Sequence, residues 1–244
     1  MSTNLKIPGY DLTGVIHTGN HTILYRATSI THQQPVILKV LRAEYPTLQQ
    51  IDRLNHEYKV TEALNLDGIV RVYDLLSLQN RLVLVSEDFG GLSLKEWLGG
   101  GGDDAREENG SGGEESRPKS QRRLDVGAFL RIGVQLARAL ESLQQNQIIH
   151  KDIKPANIII NPQTGVVKLT DFSIASRCSK EAPQGVNPDQ LEGTLLYMSP
   201  EQTGRMNRAI DYRSDFYSLG VTFYELLTGQ VPFYSEDPLE LVHC

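Results

Sequence analysis

Between Tyr10 and Phe89, short runs of β-branched and large apolar residues recur: "TILYRAT" at 22–28, "PVILKVL" at 35–41 and "RLVLVSEDF" at 81–89. Their length and composition predict strands. One stretch breaks the pattern. From Thr47 to Leu66, Leu48, Ile51, Leu54, Tyr58 and Leu64 recur at helical spacing and predict a helix. After Phe89, "GGLSLKEWL" predicts a turn and a short helix capped by Ser93, with Glu96 completing a capping box. Residues 126–148 form an amphipathic pattern that needs a partner core. Short strands are then expected at "IIHKD", "NIIIN" and "VVKLTDF", and helices at "RSDFYSLGVTFYELLTG" and "DPLELVHC". Strands first and helices later predict an α+β chain with two lobes.

Residues 99–123 depart from this patterning: glycines and charges of both signs, with one alanine and no larger apolar residue. Such a segment buries too little surface to order and reads as a solvated insertion. Relative to a loop of about six residues it costs roughly 1.2 kcal/mol of closure entropy. A charged linker between domains is the rival reading, opposed by the amphipathic helix that follows.

The 244 residues, 39% hydrophobic, suffice for one large core or two unequal lobes around a cleft. A formal charge of −6 without a basic stripe argues against a nucleic-acid binder. The two cysteines, Cys178 and Cys244, lie far apart in sequence and point to a reducing, cytoplasmic setting. No apolar run approaches the roughly 18–20 residues that span a bilayer, and "MSTNLKIPGY" lacks the apolar core of a signal peptide.

Within "IIHKDIKPANIII" and "KLTDF" stand Asp152, Lys154, Asn157 and Asp171. One such polar residue is most simply a turn cap between buried strands; four in register ask for a shared chemistry. Here the chain resembles the serine/threonine protein kinase catalytic domain, whose loop sets an Asp five residues before an Asn, with a second Asp after a short hairpin. The resemblance implies that Asp152 accepts the substrate hydroxyl proton, that Asn157 and Asp171 hold magnesium, and that Lys154 contacts phosphate. Phosphoryl transfer asks chiefly for positioning and charge neutralisation, and hard carboxylate and amide oxygens suit magnesium.

Further motifs extend the resemblance from Tyr10 to the C-terminus, the insertion excepted. "PVILKV" makes Lys39 the lysine of the α and β phosphates, with Glu57 as its partner and Glu62 as the runner-up. "GTLLYMSPEQ" matches the Ala-Pro-Glu signature with Ser199 for Ala, followed by Pro200 and Glu201, and sets Thr194 toward the catalytic Asp and Lys. "RSDFYSLG" puts Asp215 where the family holds the catalytic-loop backbone. The implied ATP site comprises Gly19, Leu24, Ile37, Lys39, Ser86, Glu87, Phe89, Asn157 and Asp171, with adenine on the backbone of Glu87–Phe89. The implied lobes are 1–89, with the hinge, and 90–244. The run from Gly193 to Gly229 is most similar to a bacterial and fungal subgroup in which the domain opens a longer sensor polypeptide, often ending in a histidine kinase.

Several positions depart from the family. His17, Gly19 and Thr22 occupy the three glycine positions of the nucleotide-covering loop, so either that loop folds differently or it is an ordinary hairpin without a phosphate role. His21 reads as a surface residue. Ile37 replaces a smaller residue above adenine, and Ser86 at the gatekeeper position predicts an open back pocket. Ser173 replaces the glycine of Asp-Phe-Gly, which requires a negative φ. Lys151 replaces an Arg and lacks the planar fork that grips a phosphate, so strict dependence on loop phosphorylation is not expected. Ser176, Ser179 and Thr194 are the phosphorylation candidates, and Cys178 in the same segment is expected to be exposed. Ala156, where basophilic kinases carry Glu, gives no support for basic peptides. Two further helices and an Arg for Glu201 are expected beyond Cys244, so the lobe reads as truncated, with an apolar face open.

The expected activity is magnesium-dependent transfer of the ATP γ-phosphate to Ser or Thr on a protein substrate. The alternative is an inactive nucleotide-binding or scaffolding module, against which stands the intact quartet Lys39, Asp152, Asn157 and Asp171. A small-molecule kinase of related fold is opposed by "GTLLYMSPE", a platform for peptides.

Overall fold

The computed structural model describes residues 5–78, 81–99, 124–177, 195–204, 208–235 and 237. The first lobe is a five-stranded antiparallel sheet in the order β1-β2-β3-β5-β4, with β1 Tyr10–Thr18, β2 Thr22–Ser29, β3 Pro35–Leu41, β4 Val72–Leu78 and β5 Arg81–Glu87. Three of these strands follow the apolar runs of the sequence. β1 and β4 had no comparable run, because their outward positions are polar and much of β1 is exposed. Register shifts between Leu12 and Gly14, and between Val15 and His17, bend β1 against β2.

In β3, alternation divides the side chains between two faces. Val36, Leu38 and Val40 point into a core with Ala27, Val83 and Val85. Ile37 and Lys39 point the other way, and their cross-strand partners Leu24, opposite Lys39, and Ser86, opposite Ile37, share that second face. Sheet register therefore assembles Leu24, Ile37, Lys39 and Ser86 on one surface.

Helix α1, Leu48–Thr61, lies against this sheet and starts at a Thr47–Gln50 capping box. Leu54 and Val60 are buried, but Leu48, expected on the inner face, is 80% exposed. The first turn overhangs the sheet, and the inward stripe passes through the buried Glu57.

The second lobe is mainly helical. Its elements are β6 Leu92–Ser93, α2 Leu94–Leu98, α3 Val126–Gln145, β7 Ile148–Ile149, β8 Ile158–Ile160, β9 Val167–Leu169, β10 Ser176–Arg177 and α4 Tyr212–Thr228. Ser93 and Glu96 form the capping box expected of α2, and Asp125 caps α3. Ile132, Leu136, Ala139, Leu140 and Leu143 of α3 pack with Ile158, Leu169 and Phe172 in the larger core. Each of these Leu, Ile and Phe side chains contributes about 2 kcal/mol when withdrawn from water. The three predicted strands are shorter than their runs: His150–Asn157 leave the ladders to form the site loop, and Thr170–Phe172 leave after β9. Nearly all of the insertion, and all of the C-terminal "DPLELVHC" helix except Asp237, lie outside the described residues.

The lobes meet where Val70 N–H donates to Leu169 O at 2.9 Å and Leu169 N–H donates to Gly68 O at 2.8 Å. Gly68 has a φ of 82°, and a Cβ there would stand 2.9 Å from Ala139 Cβ on α3. Gly68→Ala is expected to cost about 2 kcal/mol, from the left-handed backbone and the overlap together. Urea unfolding checks this, and an unchanged midpoint would contradict it.

Candidate active site

Lys39 arrives from the free face of β3. Its Nζ lies 2.8 Å from Glu57 Oε2 of α1 and 3.1 Å from Asp171 Oδ1, which follows β9. Glu62, the runner-up, makes no contact with Lys39 and lies instead beside Tyr58. Burial opposes the charge on Lys39, but Asp171 and Glu57 outweigh it and hold the ammonium above the ordinary lysine range. Burial also opposes the charge on Asp171, where Lys39 and a hydrogen bond from Ser173 win and hold it well below the ordinary carboxylate range. Glu57 goes the other way: burial pushes it up to about 7 against the pull of Lys39. One cation between two carboxylates thus keeps Asp171 ionised and leaves Glu57 near neutrality.

Asp171 carries a φ of 66°, a left-handed conformation that costs an aspartate about 1–2 kcal/mol. Its side chain keeps 32% of its surface open, enough to meet a ligand. Ser173 takes no positive φ, so the serine fits the turn where the family uses glycine.

Across the cleft, Lys154 Nζ donates to both oxygens of Asp152 at 2.9 and 2.8 Å. Asn157 Nδ2 donates to the Asp152 carbonyl at 2.9 Å and to its Oδ2 at 2.8 Å. The Asn157 amide thus points its nitrogen at Asp152, leaving its oxygen as the group with ligand character. The loop is shaped from beneath: buried Asp215 accepts the N–H groups of His150 and Lys151, both at 2.8 Å. That grip accompanies a φ of 69° at Lys151, which turns the chain toward Asp152.

Two contributions were not visible as separate signals in the sequence. His150, fully buried, faces the Phe172 ring at 4.5 Å, and its Nε2 lies 3.1 Å from Thr170 O. It fastens the loop of Asp152 to the segment of Asp171, and its only sequence cue was its place in the quoted run. Gln202 Nε2 donates to Lys151 O at 3.0 Å and joins the Ser199-Pro200-Glu201 turn to the same loop. Glu201, expected to await an Arg, accepts from Ser214 Oγ at 2.6 Å.

At the hinge, Glu87 N–H donates to Arg71 O at 2.9 Å, whereas Phe89 N–H meets no acceptor among the described residues. Lys168 pairs with the Glu87 carboxylate, and Arg26 holds Asp88 at 2.6 Å. Among the described residues Ser86 Oγ reaches only Ile37 O, at 3.5 Å. The stretch expected to cover the nucleotide is a tight hairpin closed by Gly19 N–H on Thr22 O at 2.9 Å. None of His17, Gly19 and Thr22 takes a positive φ, so the missing glycines cost no backbone strain. His21 is exposed, with Nδ1 3.0 Å from Gln50 Nε2. Ser176 lies in β10, while Cys178, Ser179 and Thr194 lie outside the described residues.

Among the described residues no cluster of three His, Cys, Asp or Glu side chains could hold a metal alone. The oxygens of Asn157 and Asp171 suit a hard cation that takes its remaining ligands from phosphate and water.

A strand-rich lobe and a helical lobe, joined at a cleft holding this Lys-Glu-Asp cluster and Asp-Lys-Asn loop, define a protein kinase fold. The protein kinase domain family matches residues 10–243, and the chain belongs to it. It is 32% identical over 233 residues to the serine/threonine-protein kinase PrkC of Bacillus subtilis, covering 95% of this chain and 32% of that protein. Similarity to the serine/threonine-protein kinase PknB of Mycobacterium leprae is 31% identity over 241 residues, 96% of this chain and 35% of that protein. A probable serine/threonine-protein kinase of Clostridium perfringens is 31% identical over 231 residues, 94% of this chain and 30% of that protein. The chain spans about a third of the length of the curated relatives it matches.

The raised Glu57 sets a pH dependence. An acid with a raised folded-state pKa stabilises the fold while protonated and loses that contribution as pH rises from its ordinary 4.5 through about 7. Glu57→Gln, which cannot ionise, is therefore expected to gain on the unsubstituted chain by on the order of 1–3 kcal/mol between about pH 5 and pH 8. The depressed Asp171 does not titrate in that window. Urea unfolding at both pH values checks this, and a variant that loses ground as pH rises would contradict it.

Proposed function

We propose that this domain binds magnesium-ATP in the cleft and transfers the γ-phosphate to a Ser or Thr hydroxyl of a protein substrate. The observation that carries the reading is Lys39, bonded to both Glu57 and Asp171, facing a loop where Asp152 is fixed by Lys154 and Asn157. Leu24 and Ile37 would line the adenine pocket beside Ser86, with adenine bonded to the Glu87 carbonyl and the Phe89 N–H, and Gly19 above the phosphates.

Lys39 would orient the α and β phosphates, and Asp152 would accept the hydroxyl proton as the substrate oxygen bonds to the γ-phosphorus and ADP departs. Lys154 would steady the transferring phosphoryl group, a step in which positioning and charge neutralisation dominate. Asn157 and Asp171 would hold magnesium, which when bound neutralises phosphate charge. The names of the similar bacterial proteins support a serine/threonine kinase.

The lobes are proposed as 1–89 and 90–244, in the cytoplasm. No helix among the described residues is long and apolar enough to cross a membrane. From the likeness of the Gly193–Gly229 run, we place the domain ahead of sensor and histidine kinase modules in a longer polypeptide.

Asp152→Asn is expected to reduce transfer of labelled γ-phosphate to a generic Ser/Thr substrate by about a hundredfold or more. Equal transfer by both chains would remove Asp152 from the mechanism, and none from either would favour a regulatory module.

A further inference from the structure

The residue beside Glu57 also crosses between the lobes. His56 Nε2 lies 2.6 Å from the carbonyl oxygen of Ala175. A carbonyl only accepts, so Nε2 carries the proton, and both the neutral ring with that tautomer and the imidazolium present it there. The acceptor sits on a fixed platform. Ala175 is 2% exposed in the larger core, and its N–H donates to Phe172 O at 3.2 Å. Phe172 packs on His150, and Ser176–Arg177 pair with Ile148–Ile149 beside the catalytic loop. The Phe172 backbone N–H, in turn, stands near the Glu57 carboxylate and favours its charged form.

Consecutive residues of α1 thus stand against the turn from Phe172 to Ala175: Glu57 near its first N–H and His56 bonded to its last carbonyl. We propose that His56 is a positioning residue that seats α1 on the platform and so sets Glu57 against Lys39, without any contribution from a loop phosphate. The proposal rests on the kinase reading and deepens it as regulation. The contacts run between side-chain and backbone groups and none needs a phosphate to form, and Lys151, where the family uses Arg, offers a phosphate no planar fork. His56 as a whole is exposed and belongs to no core cluster, so replacing it leaves the core intact.

The test uses the whole chain after phosphatase treatment, as the unsubstituted protein, His56→Leu and His56→Gln. Leu keeps bulk and loses the donor; Gln restores an N–H of similar reach. Hydrogen–deuterium exchange is expected to quicken in α1 and residues 172–177 of the Leu variant and to stay as in the unsubstituted chain in the Gln variant. In parallel, kcat should fall about tenfold for Leu with KM for ATP changed by less than about threefold, and the Gln variant should recover it. Unchanged protection in the Leu variant, equal loss in the Gln variant, or loss spread over both lobes would overturn the proposal. Absence of phosphoryl transfer in all three would sink the kinase reading alone, since the exchange measurement still decides the role of His56.

Discussion

The site depends on one ammonium shared by two carboxylates. Lys39 bonds Glu57 on the helix of the first lobe and Asp171 at the edge of the second, and no two of the three come from one element. In low-dielectric surroundings an unpaired charge of this kind is costly, so sheet, helix and second lobe must arrive together for the cluster to be stable. The same arrangement ionises Asp171, the group with open surface, and leaves Glu57 to serve mainly as a brace.

Around that cluster the second lobe stores strain where the chemistry is proposed. Lys151 and Asp171 both hold left-handed backbone that side chains disfavour. Each is held by buried groups: Asp215 grips the N–H groups of His150 and Lys151, and His150 packs against Phe172 beside Asp171. The two strained turns are thereby joined through a single buried histidine, which fixes the loop of Asp152 relative to Asp171.

Much of this was legible in the sequence because local composition and spacing carry it. The short apolar run "PVILKV" marked the strand of Lys39, and the spacing of "HKDIKPAN" and "LTDF" marked the polar loop. Long-range contacts were not legible. No local pattern links His56 to Ala175, 119 residues away, or Gln202 to Lys151, 51 residues away. The capping box of Thr47 and Gln50 was present in the sequence, yet the helical stripe alone put Leu48 inside, where the overhanging first turn leaves it in solvent. Likewise, the loss of two glycines in the covering loop signalled strain that the hairpin avoids by keeping negative φ throughout.

Lys39, Asn157 and Asp171 are proposed to form one magnesium-nucleotide site. Calorimetric titration with a non-hydrolysable ATP analogue, with and without magnesium, tests it most directly on the unsubstituted chain and on Asp171→Asn. Magnesium is expected to strengthen binding to the unsubstituted chain, and the substitution to make binding indifferent to magnesium. Binding equally strong with and without magnesium in both proteins, or no binding in either, would contradict it.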